Sequence, residues 1–284
     1  MADEHVDDIQ EVIRALEEEL RPVATNSLIE AIHHGDKDAV VTNSFKLKGL
    51  TTLDPKREAI IAGRSDFFEV LLREDPTIDE DMVATACERK DRDIIRILLD
   101  FGWPIDKPLY SMASLLCTAI DDLNLMQWFI ENGADVDARS TVNESALSIA
   151  IARGSLDVVE FLLARGTDTK HGDLLHCAAQ RKNQSEGAQL VEILVQKGAD
   201  VNAYRFNNPV AFRWRAMFKL PTPLHVACSE RNSPVAIALL KNGADPHRQM
   251  LEAGEPTPPT SIERALEIND QGLINLLKAS ELSI

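Results

Sequence analysis

Apolar and small residues return along this chain in a fixed order. In residues 145–168, "SALSIAIARGSLDVVEFLLARGTD", and again in 222–245, "TPLHVACSERNSPVAIALLKNGAD", the same sequence of features runs in register: a leucine, an alanine three positions on, an apolar pair, a double leucine and a glycine. Residues 83–102 and 174–200 carry the same skeleton, and weaker copies begin at Ser27, Arg57, Ser114 and Ser261. The anchor positions are Ala31, Ala59, Ala86, Cys117, Ala150, Ala178, Ala227 and Ala265, spaced about 33 residues apart on average. Each copy holds two short helical stripes, the first with a small residue where neighbours must approach closely. The second carries paired leucines, such as Leu162–Leu163 and Leu239–Leu240, and ends at a glycine suited to a left-handed cap. Neither stripe buries itself alone, so the copies are expected to stack side by side.

The phrase "TPLHVA" at Thr222–Ala227 and the "GAD" endings at Gly133, Gly198 and Gly243 make residues 27–280 resemble the ankyrin repeat family, most faintly in the first two copies. The resemblance implies an all-α solenoid of helix-turn-helix units with short β-hairpin fingers. It divides the array at about 27–55, 56–80, 81–111, 112–143, 144–172, 173–220, 221–259 and 260–280. It also implies that His225, and His176 in the related "DLLH", hydrogen-bond the backbone of neighbouring repeats. Residues 1–26 read as an acidic capping helix, with Val6, Ile9, Ile13, Leu16 and Leu20 on one stripe.

Departures from the period locate insertions. Ala178 to Ala227 is 49 residues: the excess falls around Asn183–Gly187, between two helices, and between Gly198 and Thr222, in a finger. Ala150 to Ala178 is only 28 residues, so the finger around Thr167–Gly172 is cut down and leaves a gap beside the overgrown one. Ala227 to Ala265 is lengthened by the proline-rich "EPTPPT" at 255–260.

The finger insert, residues 203–221, is chemically unlike its surroundings. It holds Arg205, Arg213, Arg215 and Lys219 with no acid, in a chain of net charge -16. It also holds Tyr204, Phe206, Phe212, Trp214 and Phe218, five of fourteen aromatic residues. Asn208–Pro209 reads as a helix start, and "PVAFRWRAMFKL" is compatible with a short helix ending before Pro221. Two outcomes are open for it. Folded back, its aromatics fill the gap left by the short finger and its arginines pair the acidic surface. Turned outward, it overhangs the concave groove and offers arginine and aromatic contacts, the enriched anchors of protein interfaces.

The remaining features exclude more than they suggest. A pI near 4.9 argues against nucleic acid, whose binding needs a basic footprint. The first residues lack a secretory pattern, and no apolar run approaches a membrane span, so a soluble protein of cytoplasm or nucleus is expected. Cys87, Cys117, Cys177 and Cys228 sit singly in alanine-rich helical phrases and read as small buried hydrophobes. The histidines form no zinc pattern, and no nucleophile elbow or P-loop is present, so neither cofactor nor metal is called for. Trp103 and Trp128 read as packing; Tyr110, in a finger, reads as an exposed contact.

The expectation is a non-enzymatic, monomeric protein-interaction module or scaffold. Its partner, a protein presenting an acidic segment, would meet Arg205, Phe206, Phe212, Arg213, Trp214, Arg215, Phe218, Lys219 and Tyr110. The alternative is a ligand-binding protein or enzyme with a pocket under the 203–221 insert.

Overall fold

A computed structural model of the chain describes residues 26–32, 34–36, 38–40, 42, 54–110, 112–170, 173–206, 215 and 217–281. The expected acidic helix of residues 1–26 falls almost entirely outside them, as do Phe212, Arg213 and Trp214. The chain divides into two compact units, Met1–Pro104 and Ile105–Ile284.

In the first unit, helices follow one another as short pairs: α1 (Pro55–Ile61) with α2 (Ser65–Glu74), then α3 (Glu80–Glu88) with α4 (Arg92–Asp100). Aspartates start three of them. Asp54 accepts Lys56 N–H at 2.9 Å, Asp79 accepts Met82 N–H at 2.8 Å, and Asp91 accepts Ile94 N–H at 3.1 Å, which supplies partners to otherwise orphaned helix donors. First helices stack on first helices and second on second, because each presents its apolar stripe sideways to the next copy. Phe67, Phe68, Leu72, Ile94, Ile95 and Leu98 form that buried seam. Trp103, at the finger base, is buried as expected.

The second unit repeats the scheme. A 3-10 turn (Leu115–Thr118) precedes α5 (Leu123–Glu131). The pairs α6 (Ala146–Arg153) and α7 (Leu156–Ala164), α8 (Leu174–Gln180) and α9 (Gln184–Gln196), and α10 (Pro223–Ser229) and α11 (Ser233–Lys241) follow. A hairpin of β1 (Gln249–Glu252) and β2 (Glu255–Thr260) leads to α12 (Ser261–Glu267) and α13 (Gln271–Glu281). Trp128 is core, meeting Phe129 edge-on at 5.4 Å. Gly198 and Gly243 end α9 and α11 with φ of 92° and 89°, the left-handed region that favours glycine. The fingers are joined by side chains that accept the backbone N–H of the next copy. Asp137 takes Asp168 N–H, and Asn202 takes Asp245 N–H, both at 2.9 Å.

Two expectations need correction. The extra residues around Asn183–Gly187 do not form a loop between helices. Asn183 caps α9, and residues 184–187 form its first turn, making it thirteen residues long. A Cβ on Gly187 would lie 2.7 Å from the carbonyl oxygen of Ala178, so the glycine is what lets this added turn pack against α8. Nor does a helix run to the end of the finger insert. Arg215 is helical, but Phe218 N–H closes a turn on the Arg215 carbonyl at 2.8 Å and Leu220 pairs with Leu251 as a β-bridge. That single bridge to the hairpin, rather than local helix propensity, sets the backbone at the end of the returning limb.

Candidate functional site

The insert is built on a hydrogen-bonded base. Arg205 N–H donates to the Pro221 carbonyl at 2.9 Å, so residues 206–220 leave and return through one point. Asp173 fastens the outgoing limb. Its carboxylate oxygens accept Phe206 N–H at 3.0 and 3.1 Å. Asp173 occupies the capping position of "DLLH", yet it gives its own helix no side-chain cap and sits at φ 54°. Burial pushes its carboxyl above the ordinary range, opposed by the Phe206 N–H. The returning limb is fixed at three points. His176 Nε2 meets the Pro221 carbonyl at 3.0 Å, Leu220 exchanges backbone bonds with Leu251 at 2.7 and 3.1 Å, and Lys219 Nζ donates to the Pro258 carbonyl at 2.7 Å.

Two guanidiniums gather on one ring. Arg205 lies 5.1 Å and Arg215 5.3 Å from the centre of Phe206, a cation–π arrangement worth about 0.5–1 kcal/mol each where solvent reaches it. Arg205 also donates to Gln180 Oε1 at 3.3 Å, which ties the insert to the exposed end of α8. Nearby, Arg248 stacks on Tyr204 at 4.6 Å, and Tyr204 Oη donates to the Gln249 carbonyl at 3.1 Å. Arg205 and Arg215 thus stack on an aromatic ring, and Arg205 also acts electrostatically on Asp173; Phe212, Arg213 and Trp214, on which the folded-back outcome also turns, lie outside the described residues. At the turn, Met217 is 81% and Phe218 60% exposed, so these apolar side chains are not absorbed into the core.

Two concavities flank this base. A groove of about 420 Å³ runs between the fingers and the first helices, lined by Lys219, Pro221 and Met250 on one side and Gln180, Val226 and Arg264 on the other. A cleft of about 250 Å³ stands where the shortened finger leaves room, walled by Asn143, Lys170, Asp173, His176 and Tyr204. The cleft stands where the spacing placed a gap, and Tyr204 of the insert forms part of its wall. It offers little chemistry: burial drives His176 down to about 3, its Nε2 is taken by Pro221, and desolvation pushes the adjacent Cys177 thiol up to about 12. Among the described residues no cluster of His, Cys, Asp and Glu is arranged to hold a metal ion.

Of the residues singled out from sequence, the structure brings together Arg205, Phe206, Arg215 and, on the returning limb, Phe218 and Lys219. Tyr110 is 57% exposed but belongs to another finger, in the turn bridged by Leu109 and Met112. Asp173, Gln180 and Arg248 were missed. Asp173 had a legible signal, since an aspartate replaces the threonine of the capping phrase; Gln180 and Arg248 had none.

A family model for ankyrin repeats, in three copies, matches residues 112–205, and a single ankyrin repeat matches 222–250. Residues 112–205 and 222–250 carry ankyrin repeats. The histidines of "TPLH" and "DLLH" both reach the backbone of the following finger, as that resemblance implied. Among curated relatives, the mitochondrial disaggregase of Bos taurus is 34% identical over 117 residues, which are 41% of this chain and 16% of that one. The ankyrin repeat and KH domain-containing protein mask-1 of Caenorhabditis elegans is 31% identical over 114 residues, 39% of this chain and 4% of that one. The chain therefore spans a small fraction of the relatives it matches. Ankyrin repeats are generally protein–protein interaction modules and typically not enzymes. No helix among the described residues is long and apolar enough to cross a membrane.

Proposed function

We propose that the chain is a protein-interaction module whose partner docks along the groove between fingers and first helices, with the 203–221 insert as its anchor. The carrying observation is that Met217 and Phe218 are exposed on a limb whose base is hydrogen-bonded at several points. A preordered apolar contact loses little freedom on binding, so more of its burial appears as affinity. The array is read as one interaction domain over 27–280 behind an acidic cap, acting as a monomer in cytoplasm or nucleus, with no nucleic acid or membrane as partner.

The test is selection of a displayed random-peptide library on the immobilised full chain, against a variant with residues 207–219 replaced by a short Gly-Ser turn. The wild type should enrich a sequence pattern that the variant, folded by its melting curve, does not. Enrichment of the same pattern by both removes the insert from the interface.

A ligand-binding reading has one observation in its favour, the cleft beside the shortened finger. At about 250 Å³ it is smaller than the ~300–1,000 Å³ that encloses drug-sized molecules, and its histidine is neutral and engaged. The docking reading is the stronger.

A further inference from the structure

The basic groups of the insert are distinguished by what they lack. The chain has 46 acidic residues against 30 lysines and arginines, so carboxylates are in excess. Several arginines elsewhere in the second unit use them: Arg139 lies 3.2 Å from Asp168, Arg181 2.7 Å from Glu186, and Arg264 2.9 Å from Glu267, while Arg165 stacks on Phe161. Among the described residues, Arg205, Arg215, Lys219 and Arg248 make no carboxylate ion pair, although Asp173 feels the charge of Arg205 through space. Their partners are an amide oxygen, two aromatic rings and a backbone carbonyl. In addition, Arg205 Nε and Arg248 Nε are buried without a hydrogen-bond acceptor, a state that costs free energy until an acceptor arrives.

We propose that the groove beside the insert takes an anionic peptide segment, with carboxylate or phosphate groups on the Arg205–Arg215–Lys219 side and an apolar side chain against Phe218. The inference rests on the docking reading and adds the chemistry of what docks. The groove's own carboxylates, Glu230 and Glu267, lie on the first-helix side, and Glu267 is already held by Arg264. The anionic groups are therefore placed at the finger side, and the segment's polarity is set. Val226, Met250 and Pro259 supply apolar lining for its other side chains.

Charge also decides the size of the ligand. A long polyanion such as nucleic acid, or an acidic membrane surface, meets the field of the whole chain, which at -16 is repulsive. A short segment in the groove meets mainly charges within about one Debye length, ~10 Å at 0.1 M salt. In the groove itself Lys219 and Arg264 balance Glu230 and Glu267, so the net attraction is left to Arg205 and Arg215 beside it. Guanidinium-to-carboxylate or guanidinium-to-phosphate bonds are roughly twice as strong as neutral ones.

The test uses the full chain and four fluorescent 12-residue peptides with one common Leu-Phe centre, flanked by glutamates, phosphoserines, glutamines or lysines. Binding is read by fluorescence anisotropy. The glutamate or the phosphoserine peptide should bind at least about tenfold tighter than the glutamine peptide, and the lysine peptide weakest, since tenfold needs only about 1.4 kcal/mol. The stronger of the two anionic arms identifies the source of the charge. Arg215→Gln, a change at an exposed side chain, should weaken the anionic peptides and leave the neutral one unchanged. Arg215→Glu with Lys219→Glu should turn the preference toward the lysine peptide. If all four bind equally, or if these variants leave the ranking intact, the anionic chemistry is wrong and the docking reading stands. Failure of every peptide to bind overturns both.

Discussion

Residues 173–176 and 222–225 are two copies of one four-residue phrase that arrive at different structures. In "TPLH", Thr222 and His225 form a reciprocal capping box, with Thr222 Oγ1 2.8 Å from His225 Nδ1, while Nε2–H donates to the Pro259 carbonyl at 3.0 Å. In "DLLH", His176 keeps the same outward bond, to Pro221, but Asp173 turns into the left-handed region and holds Phe206 N–H. One residue has been diverted from finishing its own helix to fastening a foreign loop. The difference shows how a repeat array acquires an insert: the stacking bond is retained and the local cap is reassigned.

The largest effects should come from the feature the copies share. His225→Ala and His176→Ala each remove a buried ring and strand a carbonyl of the next finger, which should cost about 2–4 kcal/mol in urea unfolding. Only His176→Ala should also speed hydrogen exchange at Arg205 and Leu220, because only Pro221 closes the insert. Equal exchange in both variants would break the distinction.

Acid should act on both copies together. Burial holds His225 down to about 4 and His176 to about 3, against an ordinary 6.5. Below pH 6.5 the unfolded chain takes up protons that the folded histidines refuse, so stability is present above that value and is lost as pH falls toward 4. The slope should approach about 1.4 kcal/mol per pH unit for each ring. Denaturation midpoints between pH 7 and 4 measure it, and His225→Gln should remove one ring's share. A flat profile would mean that the rings protonate without unfolding.

The caps should separate the copies at smaller magnitude. Thr222→Ala should cost about 1 kcal/mol, the usual loss for a helix cap. Asp173→Ala should cost less globally, since its helix has no side-chain cap to lose, while accelerating exchange at Phe206. Asp173→Asn has the opposite sign. Burial raises the Asp173 carboxyl, so ionisation above that value weighs against folding. The amide keeps an acceptor for Phe206 N–H without the charge. The variant should therefore melt slightly higher than wild type at pH 7, with the gap closing as pH approaches 3.8. A lower melting point at pH 7 would show that the negative charge itself holds the loop.

Gly187→Ala tests the lengthened helix. Alanine normally favours a helix interior over glycine by about 1 kcal/mol, but a Cβ here meets the Ala178 carbonyl oxygen at 2.7 Å and Val235 Cγ2 at 3.0 Å. Net destabilisation of about 1–2 kcal/mol is expected from overpacking; stabilisation would show that α8 and α9 yield easily.

The parts of this molecule that were legible are those set by near neighbours along the chain. Spacing of three and four residues marks the helix pairs, and Gly198 and Gly243 mark their ends. The base rhythm also located the extra residues, at 183–187 and 203–221, and the shortage before Asp173. What those residues do was less legible. "NQSEG" joined a helix because Asn183 caps it and Gly187 tolerates α8, a fact of packing rather than of propensity. The end of the insert is bridged from Leu220 to Leu251 because β1 lies beside it.

By itself the sequence called for short helix pairs joined by fingers over residues 27–280, since each pair's turns and apolar stripes lie within one copy. It also determined that one finger carries an excess of positive charge and aromatic rings. Tertiary structure decided which of those groups are held and which are offered. Arg205 meets Gln180 from 25 residues away, Lys219 meets Pro258 from 39, and Tyr204 meets Gln249 from 45. Such pairings depend on how far each copy is displaced and turned against the next, a quantity summed over the whole interface between helices. No single phrase contains it.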